Sequence, residues 1–195
     1  MVALGVGVVM FRRRSIAVGL VTAQALILAL AEVADASSVD GVLAAALLAF
    51  RGMVIAVFLW LLVHRSREPR PIRGRYGSLA RGAAAAGLAL ALLLLVPKLG
   101  LESMSAERSA LALVAFGLVT ASMRQEILFQ VLGIIVVENA LALAAITLAG
   151  ASSLVIEVGI TFDLVMISLV AGVFHQRIFA LFGGGDSASL RNLRG

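Results

Sequence analysis

Three acidic residues in the C-terminal half pose the first chemical question. Glu138, Glu157 and Asp163 lie in two long apolar stretches whose basic residues stand only at the outer ends, Arg124 and Arg177. A carboxylate at the centre of a lipid-embedded helix costs roughly 2.5–3.5 kcal/mol on insertion scales, so such residues mark ion paths or buried charge pairs. A cation to match them is present: Arg51 sits in the middle of an earlier apolar stretch. Counting from the nearest boundary arginines gives 65 − 51 = 14, 138 − 124 = 14 and 177 − 163 = 14. At 1.5 Å per residue each lies about 21 Å from its boundary, which predicts one layer holding Arg51, Glu138 and Asp163 somewhat beyond the bilayer midplane. Glu157 is six residues further out, about 9 Å, and 120° around the helix from Asp163. Gln24, Gln130, Asn139 and Thr161 supply polar atoms at intermediate depths.

Two chemistries suit such a layer. One is a set of interhelical salt bridges that fix the packing of a bundle, because a buried charge persists only when it is paired. The other is an ion or proton relay, in which the carboxylates exchange protons through transient water beside a fixed cation. Other chemistry has little to stand on here. No Gly-rich phosphate loop, Ser-His-Asp set, metal-ligand spacing or cofactor fingerprint occurs, so neither a catalytic residue nor a metal ligand is expected. The absence of cysteine excludes disulfides and thiolate-bound zinc or iron–sulfur clusters within the chain.

The elements that must hold these residues are membrane helices. Of 195 residues 62% are hydrophobic and 14% charged, with a mean hydropathy of +1.09. Continuous Ala- and Leu-rich runs of spanning length predict an all-α, polytopic helix bundle and not an alternating β-barrel. About seven spans are expected. The first, Met1 to Phe11, is only half length; its charges, Arg12 to Arg14, follow the apolar run, unlike a secretory signal. It fits a first helix shortened at its outer end, as a late start codon would produce. The others run over about 15–34, 41–63, 79–96, 109–123, 126–148 and 153–174. Ala83, Gly87 and Ala91 recur every four residues, a strip suited to close helix packing.

Charge then orients the bundle. Arg12, Arg13, Arg14, Arg65, Arg67, Arg70, Arg73, Arg75, Arg81, Arg124, Arg177, Arg191 and Arg194 fall on one side, against Lys98 and Arg108 on the other. The positive-inside rule puts that side and the C-terminus in the cytoplasm and the N-terminus outside. The net charge of +5 is thereby explained without nucleic acid. His64 and His175 are expected at the cytoplasmic edge, with Trp60 and Tyr76 as interfacial anchors. Three portions follow: residues 1–100, 101–181, and a Gly-rich then polar tail, 182–195, whose Leu190 and Leu193 suggest docking.

Arg124-Gln leading to Gly133 and Glu138-Asn139-Ala, followed by Val155-Ile-Glu157-Val-Gly159-Ile-Thr-Phe-Asp163, resembles membrane component E of hydrogenase-4 and formate hydrogenlyase-type complexes. That family carries Glu-Asn on one helix and Glu-x-Gly-x-x-x-Asp on the next. The ending Asp186-Ser-Ala-Ser-Leu190-Arg-Asn-Leu193-Arg194-Gly195 is similar to its tail, and Gly19 with Gln24-Ala-Leu and Ala49-Phe50 fit more loosely. The resemblance covers nearly the whole chain and is specific from about residue 124 onward. The family's last three helices are similar in turn to the K subunit of respiratory complex I and the C subunit of multisubunit cation/proton antiporters. Both carry two intramembrane glutamates in a proton path.

The resemblance implies that Glu138 takes the first of those roles, and either Asp163 or Glu157 the second. The family's basic residue on the third helix is more often lysine than arginine. Also implied are antiporter-like partner subunits and a peripheral redox module, whose nickel–iron centre and iron–sulfur clusters belong to other chains. The location implied is a prokaryotic cytoplasmic membrane. Some relatives accompany antiporter-like subunits without a hydrogenase.

Overall fold

A computed structural model describes residues 1–36, 39–65, 76–97, 101, 103–147, 161, 167–169 and 171–174. The regular elements among the described residues are helices, with no strand. Six helices are complete: α1 (Val2–Met10), α2 (Arg14–Asp35), α3 (Val39–Arg65), α4 (Ser78–Leu95), α5 (Met104–Met123) and α6 (Ile127–Ile146). Residues 161, 167–169 and 171–174 are helical as well. Five helices, α2 to α6, are long and apolar enough to cross a membrane. This is a helical membrane protein. The expected seventh span and the 182–195 tail lie mostly or wholly outside the described residues.

Local chemistry accounts for the boundaries. Ser103 begins α5 by accepting the Ala106 N–H on its Oγ at 3.1 Å, with Glu107 in the first turn where the helix dipole favours an acid. Pro97 holds the preceding residue, Val96, in an extended conformation and so ends α4 at Leu95. Hydroxyls within the spans bond back to their own helices: Thr22 to the Val18 carbonyl at 2.8 Å and Thr120 to that of Phe116 at 2.7 Å. That satisfies them where lipid offers no partner.

Packing is densest between α5 and α6, then between α2 and α3 and between α4 and α5. Because α2 also packs on α6, the order across the bundle is α3, α2, α6, α5, α4, with α1 inserted against α2, α4 and α5. The α5–α6 crossing rests on glycine. A Cβ at Gly117 would stand 2.5 Å from the Gly133 carbonyl, and one at Gly133 would stand 2.6 Å from the Ala121 N–H nitrogen. Backbone therefore touches backbone, the small-residue contact that lets membrane helices gain dispersion where lipid removes the hydrophobic drive. The strip expected to pack on α4 does not. Ala83 and Gly87 face outward, and the inward face is Arg81, Ala85 and Ala89, also four residues apart. Both strips have the same period, so spacing alone does not choose between them.

The nine-residue α1 is about 13 Å long, less than half the hydrocarbon thickness. It is nevertheless a core element: Val8 is 0% and Val9 2% exposed. Its end is gripped by two arginines that charge pattern alone assigns to boundary loops. Arg81 Nε donates to the Val9 carbonyl at 3.2 Å and its Nη1 to the Tyr76 carbonyl at 3.1 Å. Arg124 Nη2 donates to the Val9 carbonyl at 3.2 Å and also to the Phe11 carbonyl. The last carbonyls of a helix have no intrahelical partner, and buried ones must find donors, which draws both guanidiniums inward. Arg81 is 1% exposed and Arg124 3%.

Candidate functional site

The α5–α6 crossing determines where the acid of α6 points. Gly133 faces α5, and five residues on, at 100° each, Glu138 is turned 140° away, with Asn139 240° around. The two straddle the side opposite α5, Glu138 toward α3 and Asn139 toward α2. On α3, Gly52 meets α2 so closely that a Cβ there would stand 2.8 Å from the Cβ of Ala25. The adjacent Arg51 then reaches across to α6.

There Arg51 Nη1 lies 2.7 Å from Glu138 Oε1, a charge-assisted hydrogen bond inside the bundle. Arg51 is 2% exposed and Glu138 12%. The pair joins two helices with little direct packing, since both lean on α2 instead. Beside it runs a second polar contact. Asn139 Nδ2 lies 3.5 Å from Gln24 Oε1, at the long limit of a hydrogen bond, and Gln24 Nε2 lies 3.4 Å from the Met1 carbonyl. Gln24 is 0% exposed and Asn139 1%. Next to Arg51 and Asn139 is a small, mostly apolar crevice of about 10 Å³, lined by Val18, Val21, Thr22, Ile55, Leu59 and Ile135.

The sequence-derived residues thus divide. Arg51 and Glu138 meet as depth counting predicts, and Gln24 and Asn139 form an adjacent polar pair. Gln130 belongs elsewhere: its Nε2 donates to the Arg124 carbonyl at 3.1 Å, tying the α5–α6 turn about 12 Å along the helix from Glu138. Thr161 is helical and half-buried. Glu157, Asp163 and His175 lie outside the described residues. His64 is exposed, its ring stacked on Trp60 with centroids 3.9 Å apart, and Trp60 is 50% exposed.

Two buried acids escape the sequence reading. Glu32 in α2 is 8% exposed, and the signal for it was available as one acid one helical turn beyond the buried Leu28 and before the exit loop. Glu126, the N-cap of α6, is 2% exposed and ion-paired with Arg14. Its position between Arg124 and the apolar run looks solvated until the chain is folded. At the same turn the Arg124 guanidinium lies over the Phe129 ring, 4.0 Å from its centroid. Burial, with the like charges of Arg81 and Arg12, pushes Arg124 down to about 10, against an opposing pull from Glu126. No group of three His, Asp or Glu side chains among the described residues is placed to hold a metal.

Fold and site together define a polytopic helical membrane protein with a charge pair and a polar pair buried in its bundle. Within that class the chain is 30% identical over 160 residues to the uncharacterized protein Rv0085 of Mycobacterium tuberculosis, covering 76% of this chain and 70% of that protein. The chain belongs to the family of that protein. No family model matches it, and no solved structure does.

Proposed function

We propose that this chain is a non-redox membrane subunit of a complex I-related assembly of the hydrogenase-4 or formate hydrogenlyase type. In it the Arg51–Glu138 layer forms part of a proton or cation path. The observation that carries the reading is the buried pair itself, at 2.7 Å and at matched depth on two helices that otherwise barely touch. A bundle needing only cohesion is better served by apolar packing, because desolvating two charges offsets most of their attraction. Gln24 and Asn139 beside the pair, and the crevice reaching Arg51, supply polar atoms and space where transient water can approach. Glu138 is the first relay acid; Asp163 or Glu157 is the second. The chain docks antiporter-like subunits beside a peripheral redox module whose nickel–iron and iron–sulfur centres lie in other chains. By the distribution of arginine its C-terminus is cytoplasmic and its N-terminus outside, in a prokaryotic cytoplasmic membrane.

A second reading is a purely structural membrane-arm linker, or a subunit of a multisubunit cation/proton antiporter without hydrogenase; what favours the linker is that the Arg51–Glu138 contact is direct and ties α3 to α6. Glu138→Gln separates the two in the assembled complex. The relay reading expects proton transport per turnover to fall at least tenfold while the complex still assembles. Full transport in that variant rejects the relay. Loss of assembly, restored by adding Arg51→Met, establishes the linker.

A further inference from the structure

Along the bundle axis the Arg51–Glu138 pair has two unlike neighbourhoods. Toward the end where α2 finishes and α3 begins, the next turn of each helix is apolar. Leu28 stands one turn beyond Gln24 on α2, Leu48 one turn before Arg51 on α3, and Ala142 one turn beyond Glu138 on α6. These three are 1%, 1% and 3% exposed and pack into one cluster with Ala29. A layer so close-packed and apolar has neither room nor partners for water.

Toward the arginine-rich end, where α3 finishes and α2 and α6 begin, the packing is interrupted twice. The crevice beside Arg51 and Asn139 extends along α3 as far as Leu59. A second crevice, also about 10 Å³, begins on the other side of Leu59 and follows Leu62 on α3 and Val131 to Ile127 on α6. Each has room for about one water. Together they trace the α3–α6 gap from Arg51 to Leu62, 62 − 51 = 11 residues or about 16 Å of helix. Leu59, 2% exposed, walls both.

Both crevices offer polar atoms to a passing water. The first has Arg51, Asn139 and Thr22, whose hydroxyl gives its proton to the Val18 carbonyl and keeps lone pairs to accept. The second has Ser168, which is 3% exposed and whose Oγ has no hydrogen-bond partner among the described residues. A buried hydroxyl left in that state is costly, and a water beside it removes the cost. Gly172, on the same wall, lies so close to Phe58 that a Cβ there would overlap the ring, so this stretch is seated on α3.

We propose that water and protons reach the Arg51–Glu138 pair from the arginine-rich end, past Ser168 and along the α3–α6 gap. Leu59 is the constriction on that route, and the Leu28–Leu48–Ala142 layer is the seal behind the pair. This rests on the relay reading of Glu138 and gives it a direction, exchange with one side, which the distribution of arginine makes the cytoplasm. Leu59 divides two places for single waters, and a proton crosses when hydration spans it, as at other apolar gates.

The test uses single cysteines, since the chain has none of its own. The full chain, in membrane vesicles of either sidedness, is treated with a small membrane-impermeant thiol reagent, and labelling is followed by mass. The exposed Arg13→Cys and Arg108→Cys mark the arginine-rich and the opposite side. Ser168→Cys should label from the Arg13 side alone. Ile135→Cys, in the crevice beyond Leu59, should label from that same side about tenfold more slowly, and Leu59→Ala should recover about tenfold. Ala142→Cys, in the sealed layer, should stay unlabelled with or without Leu59→Ala. Labelling of Ser168→Cys or Ile135→Cys from the Arg108 side overturns the proposal, as does labelling of Ala142→Cys at an equal rate. No labelling of Ser168→Cys and Ile135→Cys even with Leu59→Ala overturns it too. Should Ile135→Cys fail to fold, Ala25→Cys reports the same crevice from α2. Transport in Glu138→Gln judges the relay separately. Full transport there with the expected labelling rejects the relay and keeps the access route, and lost transport without labelling rejects the route alone.

Discussion

Removing either partner of the Arg51–Glu138 pair is the sharpest perturbation this fold offers. Arg51→Met takes the facing cation from a carboxylate that is 12% exposed between helices, and Glu138→Gln takes the facing acid from a guanidinium that is 2% exposed. Leaving one charge of a buried pair uncompensated costs about 3–5 kcal/mol. Each single variant should therefore lose about 3 kcal/mol or more against unfolding. The double variant removes both charges and keeps roughly the volume, so it should regain most of that loss, with a coupling energy of about 2 kcal/mol or more. Helix loss during titration of the micelles with dodecyl sulfate, followed by circular dichroism, measures all four corners of the cycle. Independent effects that simply add, with coupling below about 0.5 kcal/mol, would show that the two side chains do not act on each other and would refute the argument.

Three further outcomes test the packing around the site. Gly133→Val drives a side chain into the α5 backbone, 2.6 Å from the Ala121 nitrogen, and should cost about 3 kcal/mol or more in the same unfolding assay. Gly87→Ala meets nothing within 4 Å and should instead stabilise by about 0.5–1 kcal/mol through helix propensity; destabilisation would mean that face is packed. Gly52→Ala places a Cβ 2.8 Å from that of Ala25 across the α2–α3 contact and should cost about 1–3 kcal/mol in the same assay; no loss would dispute that contact. Arg124→Lys should create a pH dependence. Burial lowers a lysine from an ordinary value of about 10.4, so between about pH 8 and pH 10 the unfolded state binds more protons and stability rises with pH. The unmodified chain, with Arg124 at about 10, should be flat from pH 6 to pH 8.5, and a flat profile in the lysine variant would contradict the burial.

Sequence alone was enough for the all-helical membrane class, because runs of apolar residues longer than a bilayer admit few other structures. It was also enough to bring Arg51 and Glu138 to one depth, since rise per residue is constant and arginines mark the boundary. Rotation about each helix axis is a different quantity. It depends on which small residues find a partner, and Gly117 with Gly133 found one while Gly87 did not. That choice turned Glu138 toward α3 and Asn139 toward α2. Burial of charge was likewise decided only in the fold. Arg81 and Arg124 read as boundary residues in a one-dimensional charge pattern, yet the open carbonyls at the end of α1 drew both inside. Composition sets what a membrane will accept; the unmet hydrogen bonds of a neighbouring helix determine which arginine goes where.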